Sequence, residues 1–199
     1  MPVEKLLIAN RGEIAIRIAR AAEELGIPSV AIYSTDDHSS LHTKMASESH
    51  ALEGSGVSAY LNIEHIVDTA IATGCDAVHP GYGFLAENAD FAAALENAGL
   101  TFVGPEASQL ALFGNKVSAR ELAAKLGVPL VPATAGSTSV EDVEAFLEEH
   151  KAIMIKAVAG GGAAFERRNG QCGCVTQSAV YPLAVDQMVL GFEHSYDTS

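Results

Sequence analysis

The sequence contains no run of about 18 apolar residues, so it offers no membrane-spanning helix, although 48% of its 199 residues are apolar. It is also poor in positive charge: 12 basic residues face 25 acidic ones, a net charge of −13. Contacts to a phosphate backbone need clustered lysine and arginine, which excludes nucleic acid as the main partner. A local cationic pocket for a small anionic ligand stays open. Three cysteines, Cys75, Cys172 and Cys174, are too few and too odd in number for a disulfide framework. Cys172-Gly173-Cys174 lacks the second pair that a zinc site needs, so free thiols and no metal site are expected. The opening "MPVEKLLIANRGE" has no basic flank, long apolar stretch or cleavage site of a signal peptide, and a cytoplasmic protein is expected. Internal repeats and low-complexity linkers are absent from the sequence.

What is present is an alternation of short apolar runs with helical patterns. "VEKLLIAN" reads as a buried strand. "GEIAIRIARAAEELG" follows at helical spacing, with Ile14, Ile18, Ala21, Ala22 and Leu25 on one face, Gly26 at the C-cap and Pro28 beyond it. "SVAIYS" is the next strand, and strand–helix–strand favours a parallel sheet. "LHTKMAS" reads as a short helix and "SHALEG" as a short strand. "IEHIVDTAIATG" is a helix capped by Asn62, and "DAVHP" a strand ending at "PGYG". "NADFAAALENAG" is another helix and "TFVG" another strand. Five short strands so separated predict an open, doubly wound α/β sheet up to about residue 105.

Beyond it, a helical stretch over 106–125 is expected, broken near Phe113-Gly114. "VPLVPAT" reads as an extended edge piece, and "SVEDVEAFLEEH" as a helix with a capping box of Ser139 and Asp142. "AIMIKAV" is a strand leading to a glycine loop. After Gly162 no amphipathic period is clear, and the strand-like pieces "SAVYPLAV" and "QMVLGF" are interrupted.

Three places carry candidate chemistry. In "IANRGEIA" a glycine between strand and helix leaves helix N–H groups free for an anion; the other reading is a turn in which Asn10 and Arg11 make local hydrogen bonds. The absence of G-x-G-x-x-G argues against a dinucleotide site. In "HPGYGFLAEN" the turn of Pro80, Gly81 and Gly83 sits at the carboxyl end of a strand, where open sheets place ligands. His79, Tyr82, Glu87 and Asn88 are candidates to face that crevice; alternatively His79 is a satisfied histidine and Glu87-Asn88 open the next helix. Lys156 lies in or at the end of an apolar strand just before Gly160, Gly161 and Gly162. A buried ammonium needs an anion, and a phosphate held by lysine and loop N–H groups meets that need. A lysine snorkelling from an edge strand is the alternative. The P-loop order is absent, because the lysine precedes the glycines.

"LIANRGEIAIRIARAAEELGI", "AIYSTDD", "SAYLNIEHIVDTA", "AVHPGYGFLAENADFA", "FVGPEASQLALFGNKVSAR" and "MIKAVAGGG" closely resemble the biotin carboxylase component of biotin-dependent carboxylases, over residues 3–162. "NRGEIA" and "HPGYGFL.EN" in tandem are highly specific for it. The resemblance implies a Rossmann-like domain over 1–113, the start of an ATP-grasp domain over 114–162, and a divergent tail over 163–199. The fold class expected is therefore a doubly wound parallel sheet followed by a truncated ATP-grasp subdomain. It implies a ligase that carboxylates biotin on a carrier protein, using ATP with magnesium or manganese and bicarbonate. Lys116 matches a family lysine that contacts ATP. Lys156 matches the strand lysine that reaches the adenine and phosphate region, and Gly160, Gly161 and Gly162 match the start of the lid over the phosphates. Tyr82 lies where the family has a tyrosine near the biotin site. Arg20 and Glu24 match first-helix residues of the family's homodimer. A biotin carboxyl carrier domain and a carboxyltransferase are the implied partners.

The resemblance stops at Gly162-Ala163-Ala164-Phe165-Glu166, where the family continues its glycine lid. The family's metal-binding glutamates, bicarbonate-binding arginine and catalytic glutamate lie further along, so no catalytic or metal residue is assigned and the chain alone is expected to be inactive. Read in a shifted frame from the Gly162 codon, the tail can spell the Arg-Gly-Ile/Val-Arg of the family. A frameshift, truncation or mis-set gene end is the expected origin of the tail. Two alternatives have other consequences: a non-catalytic module that associates with a full-length carboxylase subunit, or another ATP-grasp ligase of the carbamoyl-phosphate synthase type.

Overall fold

A computed structural model describes residues 2–134 and 139–150, together with the backbone of 152–157, 164–168, 171–174 and 188–191. The chain divides into two compact units, 1–111 and 112–199.

The first unit is a five-stranded parallel sheet of β1 (Leu6–Ile8), β2 (Ser29–Tyr33), β3 (Glu48–Ala51), β4 (Ala77–His79) and β5 (Thr101–Phe102). The strand order is β3-β2-β1-β4-β5, and every pairing is parallel. Chain order therefore reverses between β1 and β4. The helices between strands are α1 (Gly12–Glu24), α2 (His42–Met45), α3 (Gly56–Ala59), α4 (Ile63–Ala72) and α5 (Ala89–Asn97). These are the five strands and the doubly wound α/β class expected from the sequence.

A strand's side chains alternate between faces, and the core divides accordingly. Leu7, Val30, Ile32 and Val78 pack in one cluster with Ile66 of α4 and Phe91 and Leu95 of α5. Leu6, Ile8 and Ala77 pack in the other with Ala15, Ala19 and Ala22 of α1. The α4 and α5 layer thus meets the sheet with large side chains, and α1 meets it mainly with alanine methyl groups, with half-buried Ile18 packed beside them. The sequence pattern assigns the stripe Ile14, Ile18, Ala21, Ala22, Leu25 to the covered face of α1. The structure bears out part of that assignment and corrects part: Ala22 is buried and half-buried Ile18 packs against the cluster, Ile14 is half-buried, but Ala21 is exposed and Leu25 is 74% exposed. Alanine and isoleucine are equally apolar in a periodicity count. Only alanine lets this helix approach the backbone of the sheet closely.

Local signals fix the ends of these helices. α1 stops in a Schellman motif: Gly26 has φ +71°, its N–H donates to Glu23 O, and Ile27 N–H donates to Ala22 O. Asn62 Oδ1 accepts from His65 N–H, at the N-cap expected to open α4, and Asn88 Oδ1 accepts from Phe91 N–H at the N-cap of α5.

Around residue 111 the chain runs through α6 (Ala107–Gly114), and the second unit follows with α7 (Lys116–Lys125) and α8 (Val140–His150). Asn115 separates α6 from α7, close to the break expected at Phe113-Gly114, and its side chain accepts from Val117 and Ser118 N–H. Ser139 and Asp142 form the reciprocal capping box, each side chain accepting the other's N–H. β6 (Ala152–Ala157) pairs antiparallel with β7 (Ala164–Arg168) and β9 (Met188–Gly191), and β7 pairs with β8 (Gln171–Cys174). β7 and β8 lie where the sequence shows no period, whereas β9 falls on "QMVLGF". "SAVYPLAV" lies outside the described residues. Among the described residues no helix is long and apolar enough to cross a membrane.

Candidate functional site

Strands β1 and β4 are neighbours in the sheet, so the loops that leave their carboxyl ends emerge side by side. These are the loops "NRGE" and "HPGYGF". Asn10, 1% exposed, ends the first loop's approach and reaches into the second. Its side-chain amide donates to the carbonyl of Pro80 at 2.6 Å and to that of Tyr82 at 3.0 Å. Its oxygen accepts from Arg11 N–H at 2.9 Å. The contacts to Pro80 and Tyr82 are long-range, which corrects the reading of Asn10 as a purely local residue. They also explain Gly81: its φ is +67°, and a Cβ there would stand 2.5 Å from Ile14 Cγ2 and 2.8 Å from Asn10 Nδ2. Neither contact can be accommodated without displacing Asn10 or Ile14.

His79 is half-buried, and its Nδ1 accepts from Gly81 N–H at 3.0 Å. That bond requires a neutral ring, because imidazolium has donors at both nitrogens. Burial pushes the His79 pKa down, in the same direction. Tyr82 is 60% exposed, and its hydroxyl donates to the Glu13 carboxylate in the first turn of α1. That hydrogen bond, with some desolvation and the Glu13 charge, holds the phenol above its ordinary range. Glu87 is exposed, and Asn88 is committed to capping α5, so of the candidates in this motif Asn88 does not face the crevice.

On the β2 side, Arg11 turns to Asp37. Its Nε lies 2.6 Å and its NH2 nitrogen 2.8 Å from the two carboxylate oxygens, a bidentate pair. Tyr60 O–H donates to the same carboxylate at 2.9 Å, and Ser40 O–H at 3.0 Å. Burial pushes the Asp37 carboxyl up, but the bonds from Arg11, Tyr60 and Ser40 and the Arg11 charge outweigh it. Its pKa therefore lies below the usual value. The Tyr60 ring, 5.3 Å from the Phe84 ring and stacked on it, ties this group back to the β4 loop.

Two concavities adjoin the loops. A cavity of about 440 Å³ is lined by Asn10, Arg11, Glu13, Asp37, Tyr82 and Phe84 among others. An apolar groove of about 570 Å³ runs along α1, past half-buried Ile14 and Ile18 and exposed Leu25, to His79 and Tyr82. Arg20 and Glu24 are exposed one turn apart on α1. In the second unit Lys116 is half-buried at the start of α7. Lys156 belongs to β6, and Gly160, Gly161 and Gly162 lie outside the described residues. Among the described residues no group of three or more His, Cys, Asp or Glu could hold a metal ion. Glu13 and Asp37 are the contacts that sequence reasoning missed. Glu13 sits inside "NRGEIA", so the motif carried the signal, but its partner lies 69 residues away.

The chain matches the family model described as biotin carboxylase, N-terminal domain, over residues 2–110. It is 50% identical to biotin carboxylase 1 of Bacillus subtilis over 163 residues, covering 80% of this chain and 36% of that protein. It is 52% identical to pyruvate carboxylase of Staphylococcus aureus over 165 residues, covering 80% of this chain and 14% of that one. Among solved structures it resembles the biotin carboxylase domain dimer of 2-oxoglutarate carboxylase from Hydrogenobacter thermophilus, in complex with MgADP, ADP and bicarbonate. The TM-score is 0.80 at 42% identity, covering 85% of this chain and 38% of that one. The chain thus spans about a third or less of the length of these curated relatives.

Proposed function

The chain belongs to the biotin carboxylase N-terminal domain family, and from that premise we propose that it forms the N-terminal portion of a biotin carboxylase. The reaction of that enzyme is the ATP- and bicarbonate-dependent carboxylation of carrier-bound biotin. The observation that carries this reading is the interlocking of the loops after β1 and β4. They meet where strand order reverses, the place where open parallel sheets bind ligands, and they present the Tyr82 ring at the surface. On this reading Tyr82 faces the biotin side of the reaction.

The nucleotide belongs to the second unit. Lys116 and Lys156 supply ammonium groups suited to phosphate oxygens, and Gly160, Gly161 and Gly162, shortly after Lys156 in sequence, bring backbone N–H groups without side chains, which suits close approach to phosphates. Magnesium or manganese, when bound, neutralises phosphate charge; its ligands are assigned outside the described residues, which hold no suitable cluster. The carrier domain and carboxyltransferase are partners of the whole enzyme. The 199 residues by themselves are proposed to turn over no ATP; the 163 residues that match cover 36% of a biotin carboxylase.

Calorimetry with MgATP on the wild type, Lys116→Ala and Lys156→Ala, followed by an assay of ATP cleavage dependent on bicarbonate and biotin, tests this. Each alanine is expected to weaken ATP binding, and cleavage is expected to stay at background. Affinity unchanged in both variants sinks the nucleotide assignment. Turnover that persists after contaminating full-length enzyme is removed sinks the inactivity. The exposed Arg20 and Glu24 favour a second reading, a non-catalytic module that associates with a full-length carboxylase subunit through α1. Pull-down with such a subunit separates the two.

A further inference from the structure

Tyr82 is carried by a turn whose backbone is left-handed on both sides of it. Gly81 and Gly83 flank it at φ +67° and +70°, and Phe84 follows at φ 41°. A ring on such a turn is placed only by what grips it. Asn10 grips the carbonyls on either side of Gly81, and His79 grips the amide of Gly81. Both act on backbone. Glu13 reaches the polar tip of the ring itself.

That contact also decides what the hydroxyl can still do. A phenol has one proton to donate and lone pairs to accept with. With the proton committed to the Glu13 carboxylate, the oxygen is left as an acceptor, on an exposed side chain that lines the same cavity as Glu13. An acceptor there suits a ligand that brings an N–H group, and the ureido ring of biotin has two. We propose that Glu13 is a positioning residue: it aims the Tyr82 ring and commits its proton, so that Tyr82 meets the substrate as a hydrogen-bond acceptor for a ureido N–H. This rests on the reading of Tyr82 as substrate-facing.

The contact is read by carbon-13 NMR of the 199-residue chain labelled at tyrosine Cζ, with Tyr82 assigned by Tyr82→Phe. Glu13 is exposed, so its variants are expected to fold, and the signal of buried Tyr60 serves as the fold control. In Glu13→Ala the Tyr82 signal should move and its titration midpoint should fall toward the ordinary phenol value. In Glu13→Gln the amide oxygen can still accept the bond while the charge is gone. The midpoint should fall there too, but the Cζ shift at neutral pH should return toward wild type. A Tyr82 signal indifferent to Glu13→Ala overturns the proposal. A Gln variant indistinguishable from Ala overturns it as well, because charge alone would then link the two groups. Free biotin added to the same sample tests the underlying reading separately. If the Glu13 series behaves as expected and biotin moves nothing, the substrate assignment fails while the aiming of the ring stands.

Discussion

In α5 of the first unit the apolar residues Phe91, Ala92 and Leu95 are all buried, and Phe91 meets Phe102 of β5 edge to face at 6.0 Å. Just past α7 in the second unit, Leu126, Val128, Leu130 and Val131 are 69%, 51%, 40% and 47% exposed. The two stretches are similarly apolar in sequence. They differ in what surrounds them: α5 lies on a sheet whose opposite face α1 covers, and such a sheet needs both faces covered. The lesson is that an apolar pattern states what a segment can bury. Whether it does so depends on the layers present.

The largest effect expected from this contrast is in side-chain truncation. Phe91→Ala should destabilise the first unit by roughly 3–5 kcal/mol, the cost of removing a buried aromatic ring. Leu126→Ala should stay within about 0.5 kcal/mol, as for an exposed residue. Urea denaturation of each variant, followed by amide signals of each unit, makes the comparison. Equal losses would show that the second unit buries Leu126 in solution.

A smaller difference is expected in acid, and it belongs to the first unit. Burial holds the His42 ring below its ordinary value, with the Ile32 carbonyl and Asp37 pulling the other way. Among the described residues, His42 Nδ1 is the buried side-chain polar atom without a partner. A depressed histidine contributes stability above its unfolded value of about 6.5, and that contribution is lost as pH falls through the folded value. Asp37, also depressed, contributes above about 3.9 and loses its contribution in the same direction, at lower pH. Melting temperatures of the first unit should therefore fall from pH 7 downward. His42→Leu should be less stable at pH 7 and show a flatter slope between pH 7 and 5. A slope unchanged by this substitution would remove His42 from the account.

Least of all should come from Ser139→Ala. It removes one half of the capping box of α8 and should cost about 1 kcal/mol, with the helicity of 140–150 lowered. Amide exchange in α8 reads this. A matching loss in the first unit would show that the two units unfold together.

Most of the first unit was legible because its signals are local. Asn62 caps the helix it was expected to cap, and the strands β1, β2, β4 and β5 were found from short apolar runs. What was illegible depends on contacts across the chain. Nothing near Asn10 announces that it will hold carbonyls 70 and 72 residues away, and Arg11 finds Asp37 across 26 residues. The buried face of α1 was read only in part, Ala22 and Ile18 but not Ala15 and Ala19, because alanine and isoleucine carry the same apolar weight. β7 and β8 escaped because antiparallel pairing, of β7 with β6 and of β8 with β7, supplies the order that "AFERR" and "QCGC" lack as patterns.

The alanine stripe of α1 has one more consequence, an entropic one. Ala15, Ala19 and Ala22 have no rotamers to lose, so their burial costs no side-chain entropy, and half-buried Ile18 is the larger side chain that this helix packs against the same cluster. Seating α5 must freeze Phe91 and Leu95 each into one state. The helix that carries Glu13 to Tyr82 is therefore seated with less side-chain ordering at its buried positions than α5 is.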